Sequence, residues 1–187
     1  RGLMYDKRSA WALAGIAPQL GDDTRLSQIL AAAMTEIPVS KQWRADQFSA
    51  SLDGQLVATW CDWRGGSAPQ PLRAEPSSAH SFDHGFASLV KFFPEGRTLT
   101  AQIEERLWDQ IHGLNSSRSP VVFDDQYIST GGQFHELITG RDRMVGDLRP
   151  LVFRALDMES SLVCHPYDAC AWLVLKKAGV VFEHPLG

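Results

Sequence analysis

Near residue 96 the hydrophobic pattern of this 187-residue chain changes period. Before that point, apolar residues come in short runs divided by Gly, Pro and Asp; just after it, from Leu99 to Leu114, they recur every three or four positions. A chain carrying both periods folds as strands with helices packed on them, an α+β or layered α/β arrangement. Residues 11–17 form a continuous apolar run ended by Pro18, which reads as a buried strand, and Gly21-Asp22-Asp23 reads as a turn. The segment 26–34 fits helix or buried strand equally. Segments 47–52 and 55–60 flank Asp53-Gly54, a dipeptide suited to a two-residue hairpin turn. Residues 71–74 read as a short edge strand and 82–90 as a further strand.

The second half carries the helical signals. Leu99, Ile103, Leu107, Ile111 and Leu114 trace one stripe, with Thr98 placed to cap its start and Gly113 its end. A last helix opens at Pro166, which has no N–H to leave unpaired. It runs to Lys176-Lys177 and stops at Gly179, and 180–182 reads as a strand.

Composition narrows the function classes. The chain is 44% hydrophobic and 21% charged, enough for one core or two small ones, and unlike a disordered tail or a collagen-like repeat. Its net charge is −4 with no basic stripe, which argues against a nucleic-acid partner. Three cysteines, Cys61, Cys164 and Cys170, fit neither a disulfide framework nor a zinc signature. Cys164 and Cys170 read as buried thiols in a reducing cytoplasm. The longest apolar run, 169–175, is far below the roughly 20 residues of a membrane span. Arg1 without an initiator Met, and Gly187 directly after a strand-like run, read as the ends of a cut chain.

Two segments carry candidate chemistry. In Ser129-Thr130-Gly131-Gly132-Gln133, Thr130 and Gln133 have capping-box spacing, and Gly140 ends the helix that follows. The glycine pair leaves backbone N–H groups open at a positive helix end, so the segment is either a plain cap or a seat for an anion or sugar hydroxyl. In Cys164-His165-Pro166-Tyr167-Asp168, the Asp falls in the first helical turn, where it is an ordinary N-terminal acid or a ligand for a hard cation. His165 fits a ligand, an acid–base group or a core residue. Asp124-Asp125 resembles part of a metal cluster but also a solvated pair. Arg141, Arg143, Arg149 and Arg154 suit phosphate or plain solvent exposure. His80 and His84 lack the helical geometry of a metal pair. There is no G-x-x-x-x-G-K-[ST] loop, G-x-S-x-G elbow or H-E-x-x-H.

Taken in order, these segments resemble the inositol monophosphatase and fructose-1,6-bisphosphatase superfamily. Its late W-D-x-A-A motif is similar to Tyr167-Asp168-Ala169-Cys170-Ala171, and its following E-A-G-G to Lys177-Ala178-Gly179-Val180. Tyr stands for the usual Trp and Lys177 for the usual Glu. Its G-T or S-T step into a helix resembles Ser129-Thr130-Gly131. Residues 32–38, Asp53-Gly54-Gln55-Leu56 and 71–75 follow the family's strand, hairpin and P-[IL]-x-V-S order loosely. Residues 1–5 and the strand at 11–17 look like the chain just after the family's D-P-x-D-G-T metal motif.

The resemblance implies a layered α/β/α/β-type sugar-phosphatase sandwich, incomplete at its N-terminus. Residues 1–95 would be the remainder of an antiparallel-sheet region with the start of the second layer, and 96–187 the C-terminal α/β region. It implies Mg²⁺-dependent hydrolysis of a small phosphorylated substrate by a cytoplasmic, homodimeric parent. Asp168 matches the family's late metal ligand, and Ser129, Thr130 and Gly131 its substrate-pocket step. Ser161 falls where relatives often carry a sugar-contacting Glu, and His165 lies on the pocket side by analogy. The other metal ligands would precede Arg1, so the fragment alone is expected to be inactive. A non-catalytic phospho-ligand or sugar-binding module of the same fold is the alternative. A structural or interface fragment anchored by its six tryptophans is a third reading.

Overall fold

The computed structural model describes residues 9–113, 121–125, 129–159, 163 and 166–186. Strands β1 (Ala10–Ile16), β2 (Ala31–Ile37), β3 (Arg44–Ser51), β4 (Val57–Asp62) and β5 (Gln70–Pro71) form an antiparallel sheet in sequential order. The ambiguous 26–34 segment resolves into a short 3-10 turn, Leu26–Gln28, followed by β2. A second sheet has β6 (Gly85–Leu89) at its centre, parallel to both β7 (Val122–Phe123) and β8 (Asp142–Gly146). Ala87, Ser88 and Leu89 are all buried, a run rather than an alternation. A central parallel strand covered on both faces has that pattern.

Five helices accompany the sheets among the described residues: α1 (Arg97–His112), α2 (Thr130–Ile138), α3 (Arg149–Ala155), α4 (Pro166–Ala169) and α5 (Trp172–Ala178). Apolar positions on one face of the first sheet meet α2 and α5. Met34 and Phe48 are fully buried there with Ile138 of α2 and Leu173, Val174 and Leu175 of α5. Helix α2 also packs on β8, so it touches both sheets. The architecture is α+β.

Several local expectations change. The hairpin between β3 and β4 closes over residues 52–56, not over a two-residue turn. The Leu52 N–H donates to the Leu30 carbonyl (2.8 Å), and Lys177 Nζ donates to the Leu52 carbonyl (2.8 Å), so tertiary bonds hold the wider loop. Helix α1 begins behind a left-handed Gly96, with Thr98 already inside its first turn. Its inward line runs through Thr100, Glu104 and Trp108; Ile111 is exposed. The bulk of Trp108, edge-on to Phe82 (5.5 Å), and the Lys91–Glu104 ion pair turn the helix that way. Leu114 lies outside the described residues. The last helix is broken at Cys170-Ala171 into α4 and α5, and residues 180–182 form no strand. Cys61 and Cys170 are only partly buried; Cys164 lies outside the described residues.

Candidate functional site

Strand β1 receives the start of α2 and the end of α4 at two separate points. Trp11, Leu13 and Gly15 share one face, because side chains alternate along a strand. A Cβ on Gly131 of α2 would lie 2.4 Å from the Trp11 Cβ and 3.3 Å from Leu13 Cδ2. A Cβ on Gly15 would lie 2.6 Å from the carbonyl oxygen of Cys170, at the end of α4. Two missing side chains thus let the start of α2 and the end of α4 settle on one strand. The two seats, Trp11 and Gly15, are roughly 14 Å apart at about 3.4 Å per residue.

Ser129, not Thr130, caps α2. Its backbone is extended, and its Oγ accepts from the Gly132 N–H (3.2 Å). Thr130 is the first helical residue, so the capping box expected between Thr130 and Gln133 does not form. The cap also occupies the Gly132 N–H, and the need for glycine at 131 comes from Trp11. Asp168 lies in α4, half-buried, next to Cys170. Burial, and then the Asp168 charge, push the Cys170 thiol above its usual range. Ser161 and His165 lie outside the described residues. Asp168 is a hard oxygen donor of the kind Mg²⁺ takes. Among the described residues, however, no group of three or more His, Cys, Asp or Glu is placed to share an ion. One carboxylate does not hold two hard cations, so the described residues do not form a complete metal seat.

A second polar region, at the other end of α2, has no counterpart in the motif reading. His135 is buried with Nε2 3.1 Å from Asp46 Oδ2 and Nδ1 3.0 Å from Glu136 Oε1. Burial alone would lower the pKa of this imidazole. The hydrogen bonds and charges of the two carboxylates overcome it and hold the pKa at about 9. His135 is therefore an imidazolium clamped between two anions, with both carboxylates held below their ordinary range in return. Trp11 tilts over the ring (5.0 Å) and Phe48 meets it edge-on (5.9 Å). Arg44 Nε stands 3.4 Å from Asp46 Oδ1, at ion-pair distance without hydrogen-bond geometry, and its guanidinium lies over Trp60 (4.4 Å).

This cluster floors a cleft of about 760 Å³, walled by β2, β3, the 72–78 segment and the end of α2. Asp46 and His135 are 89 positions apart, and no local spacing signals their meeting. Of the four arginines noted in the sequence, Arg141 lines this cleft. Arg143 donates to the carbonyls of Ser81 (2.7 Å) and Asp83 (2.9 Å). Arg149 pairs with Asp147, and Arg154 is exposed.

Asp124 and Asp125 bear on a buried acid rather than on a metal cluster. Asp142, at the start of β8, is buried. Burial first, then the charges of Glu136, Asp125 and Asp124, raise its pKa to about 6, against the pull of Arg141. Because that is above the ordinary 3.8, the folded state favours the protonated acid. This contribution is complete below pH 3.8 and is lost as pH rises through 6. Asp142→Asn is therefore expected to stabilise the protein by about 1–3 kcal/mol at pH 8 and by almost nothing below pH 4. Urea unfolding at the two pH values checks this; an equal gain at both, or a loss at pH 8, contradicts it.

Comparison of the chain with protein families, with curated proteins and with solved structures finds no match. No helix among the described residues is long and apolar enough to cross a membrane.

Proposed function

We propose that this chain supplies the substrate-binding helix end and one metal-ligating carboxylate to a Mg²⁺-dependent phosphatase acting on a sugar, inositol or related small phosphate monoester. The observation that supports the reading is the strand, β1, that lies under both segments. Gly131 and Gly15 bring the Ser129–Gly131 helix start and the Asp168 turn onto one strand face, although 37 positions separate Gly131 from Asp168. A phosphate bound at a helix start, with a carboxylate-held cation beside it, is a workable pairing of charge. In this reading α2, which touches both sheets, is the layer between them in an α/β/α/β-type sandwich. The remaining metal ligands would come from outside these 187 residues, in a cytoplasmic, homodimeric parent.

The test is phosphate release from a panel of sugar and inositol phosphates by the full-length protein, with and without Mg²⁺. Asp168→Asn is expected to lower Mg²⁺-dependent release by at least about a hundredfold, since even outer-shell changes cost 10–100-fold. Unchanged release in the variant removes Asp168 from the site. Tight binding of the same phosphates without any release favours the non-catalytic module instead.

A further inference from the structure

The polar cleft lies at the opposite end of α2 from Ser129, and the proposed phosphatase chemistry does not use it. Its volume, about 760 Å³, is that of a small-ligand site. Glu36, at the end of β2, is oriented there but not neutralised. Its Oε1 accepts from Gln42 Nε2 (2.9 Å) and its Oε2 from the Asp46 N–H (3.1 Å). Gln42 is itself fixed, because Nε2 also donates to the Arg44 carbonyl (2.7 Å). No cationic nitrogen among the described residues lies within 4.0 Å of the Glu36 carboxylate. A carboxylate has about four acceptor positions, so each oxygen keeps room for another donor.

The opposite charge stands on the rim. Arg141 meets Glu136 through Nη1 alone (3.3 Å), and its side chain is 67% exposed. Most of its five N–H donors remain for another acceptor. Arg73, paired with Glu75, is exposed and lines the same cleft. That wall is set by close packing. Gly140 has φ +74°, and a Cβ there would lie 2.6 Å from the Glu75 carbonyl and 3.1 Å from the Ser77 nitrogen. The end of α2 and the 75–77 backbone are therefore in contact before any ligand arrives, which lowers the cost of binding.

We propose that this cleft binds a small zwitterion, its ammonium on Glu36 and its oxyanion on Arg141 and Arg73. A ligand that is only an anion leaves Glu36 against like charge. One that is only a cation leaves the guanidinium donors unused.

Taurine, ethanesulfonate and ethylamine, titrated calorimetrically into the Mg²⁺-free protein, separate the charges and keep phosphatase turnover out of the measurement. Taurine is expected to bind one site at least roughly tenfold more tightly than either half-ligand. Glu36→Gln should reduce its affinity to that of ethanesulfonate, and Arg141→Gln should lower it toward that of ethylamine, with Arg73 keeping part of the hold on the oxyanion. Arg141 is exposed, so its variant is a usable test even if Glu36→Gln folds poorly. The proposal is overturned if ethanesulfonate binds as tightly as taurine, if Arg141→Gln leaves taurine binding unaltered, or if taurine shows no saturation below ~10 mM.

Discussion

Replacing His135 by leucine is expected to cost about 3–5 kcal/mol, because it leaves the Asp46 and Glu136 carboxylates half-buried without the cation between them. The cost should depend on pH in a defined direction. The imidazolium pKa is about 9 in the folded protein and 6.5 in an unfolded chain. Its contribution is therefore complete below pH 6.5 and is lost as pH rises through 9. The gap corresponds to about 3 kcal/mol. Urea unfolding of the native protein and the His135→Leu variant at pH 6, 8 and 10 isolates this from the titration of lysine and tyrosine, which both proteins share. The difference between them should shrink from pH 6 to pH 10. A difference that stays constant means that the His135 pKa is the same in the folded and the unfolded chain, and that its ring matters only for packing against Trp11 and Phe48.

The second large effect belongs to Gly131. In Gly131→Ala the new methyl lies 2.4 Å from the Trp11 Cβ and 2.8 Å from its Cγ. The Cβ is fixed by the β1 backbone, so rotation of the Trp11 side chain moves Cγ but does not relieve the closer contact. Helix and strand must separate, at a cost of about 3 kcal/mol, the upper part of the range for overpacked cores. Alanine normally favours a helix over glycine by about 1 kcal/mol, so a net loss is diagnostic of the close approach. Gly65→Ala is the control. Its Cβ meets only the Asp62 carboxyl, at ordinary contact distances of 3.5 and 3.6 Å, and its stability should stay within about 0.5 kcal/mol of the native value. Thermal unfolding of both variants decides the matter. If Gly131→Ala proves as stable as the native protein, Trp11 does not hold α2 on β1. The placement of Ser129–Gly131 and Asp168 over one strand then loses its support.

How much of this was legible in the chain follows from the range of each interaction. β1 was visible as a strand because a continuous apolar run ends at Pro18, but its burial was not. It is the sheet's edge strand, with no residue fully buried and Ala12, Ala14, Gly15 and Ile16 exposed, because only its Trp11–Leu13 face is covered. The ends of α1 and α5 were visible because Gly113 and Gly179 take the left-handed conformation that closes a helix locally. The face α1 presents was not, since Trp108 and the Lys91–Glu104 pair outweigh the Leu99–Ile103–Leu107–Ile111 stripe. The helix start at Ser129 was off by one residue because Ser129 and Thr130 carry the same capping chemistry. Backbone conformation alone separates them.

By itself, then, the sequence determined the mixture of strand and helix, the positions of most turns and helix stops, and the two segments around Thr130 and Asp168 where chemistry was expected. Periodicity and capping act within a few residues and are written where they operate. Tertiary structure alone decided that Gly15 and Gly131 exist to receive neighbouring backbone and a tryptophan. It alone set His135 between Asp46 and Glu136, and gathered Glu36, Arg73 and Arg141 around one cleft. Those outcomes depend on which strands become neighbours and on the charges they bring out of water, and neither has a signature at short range in the chain.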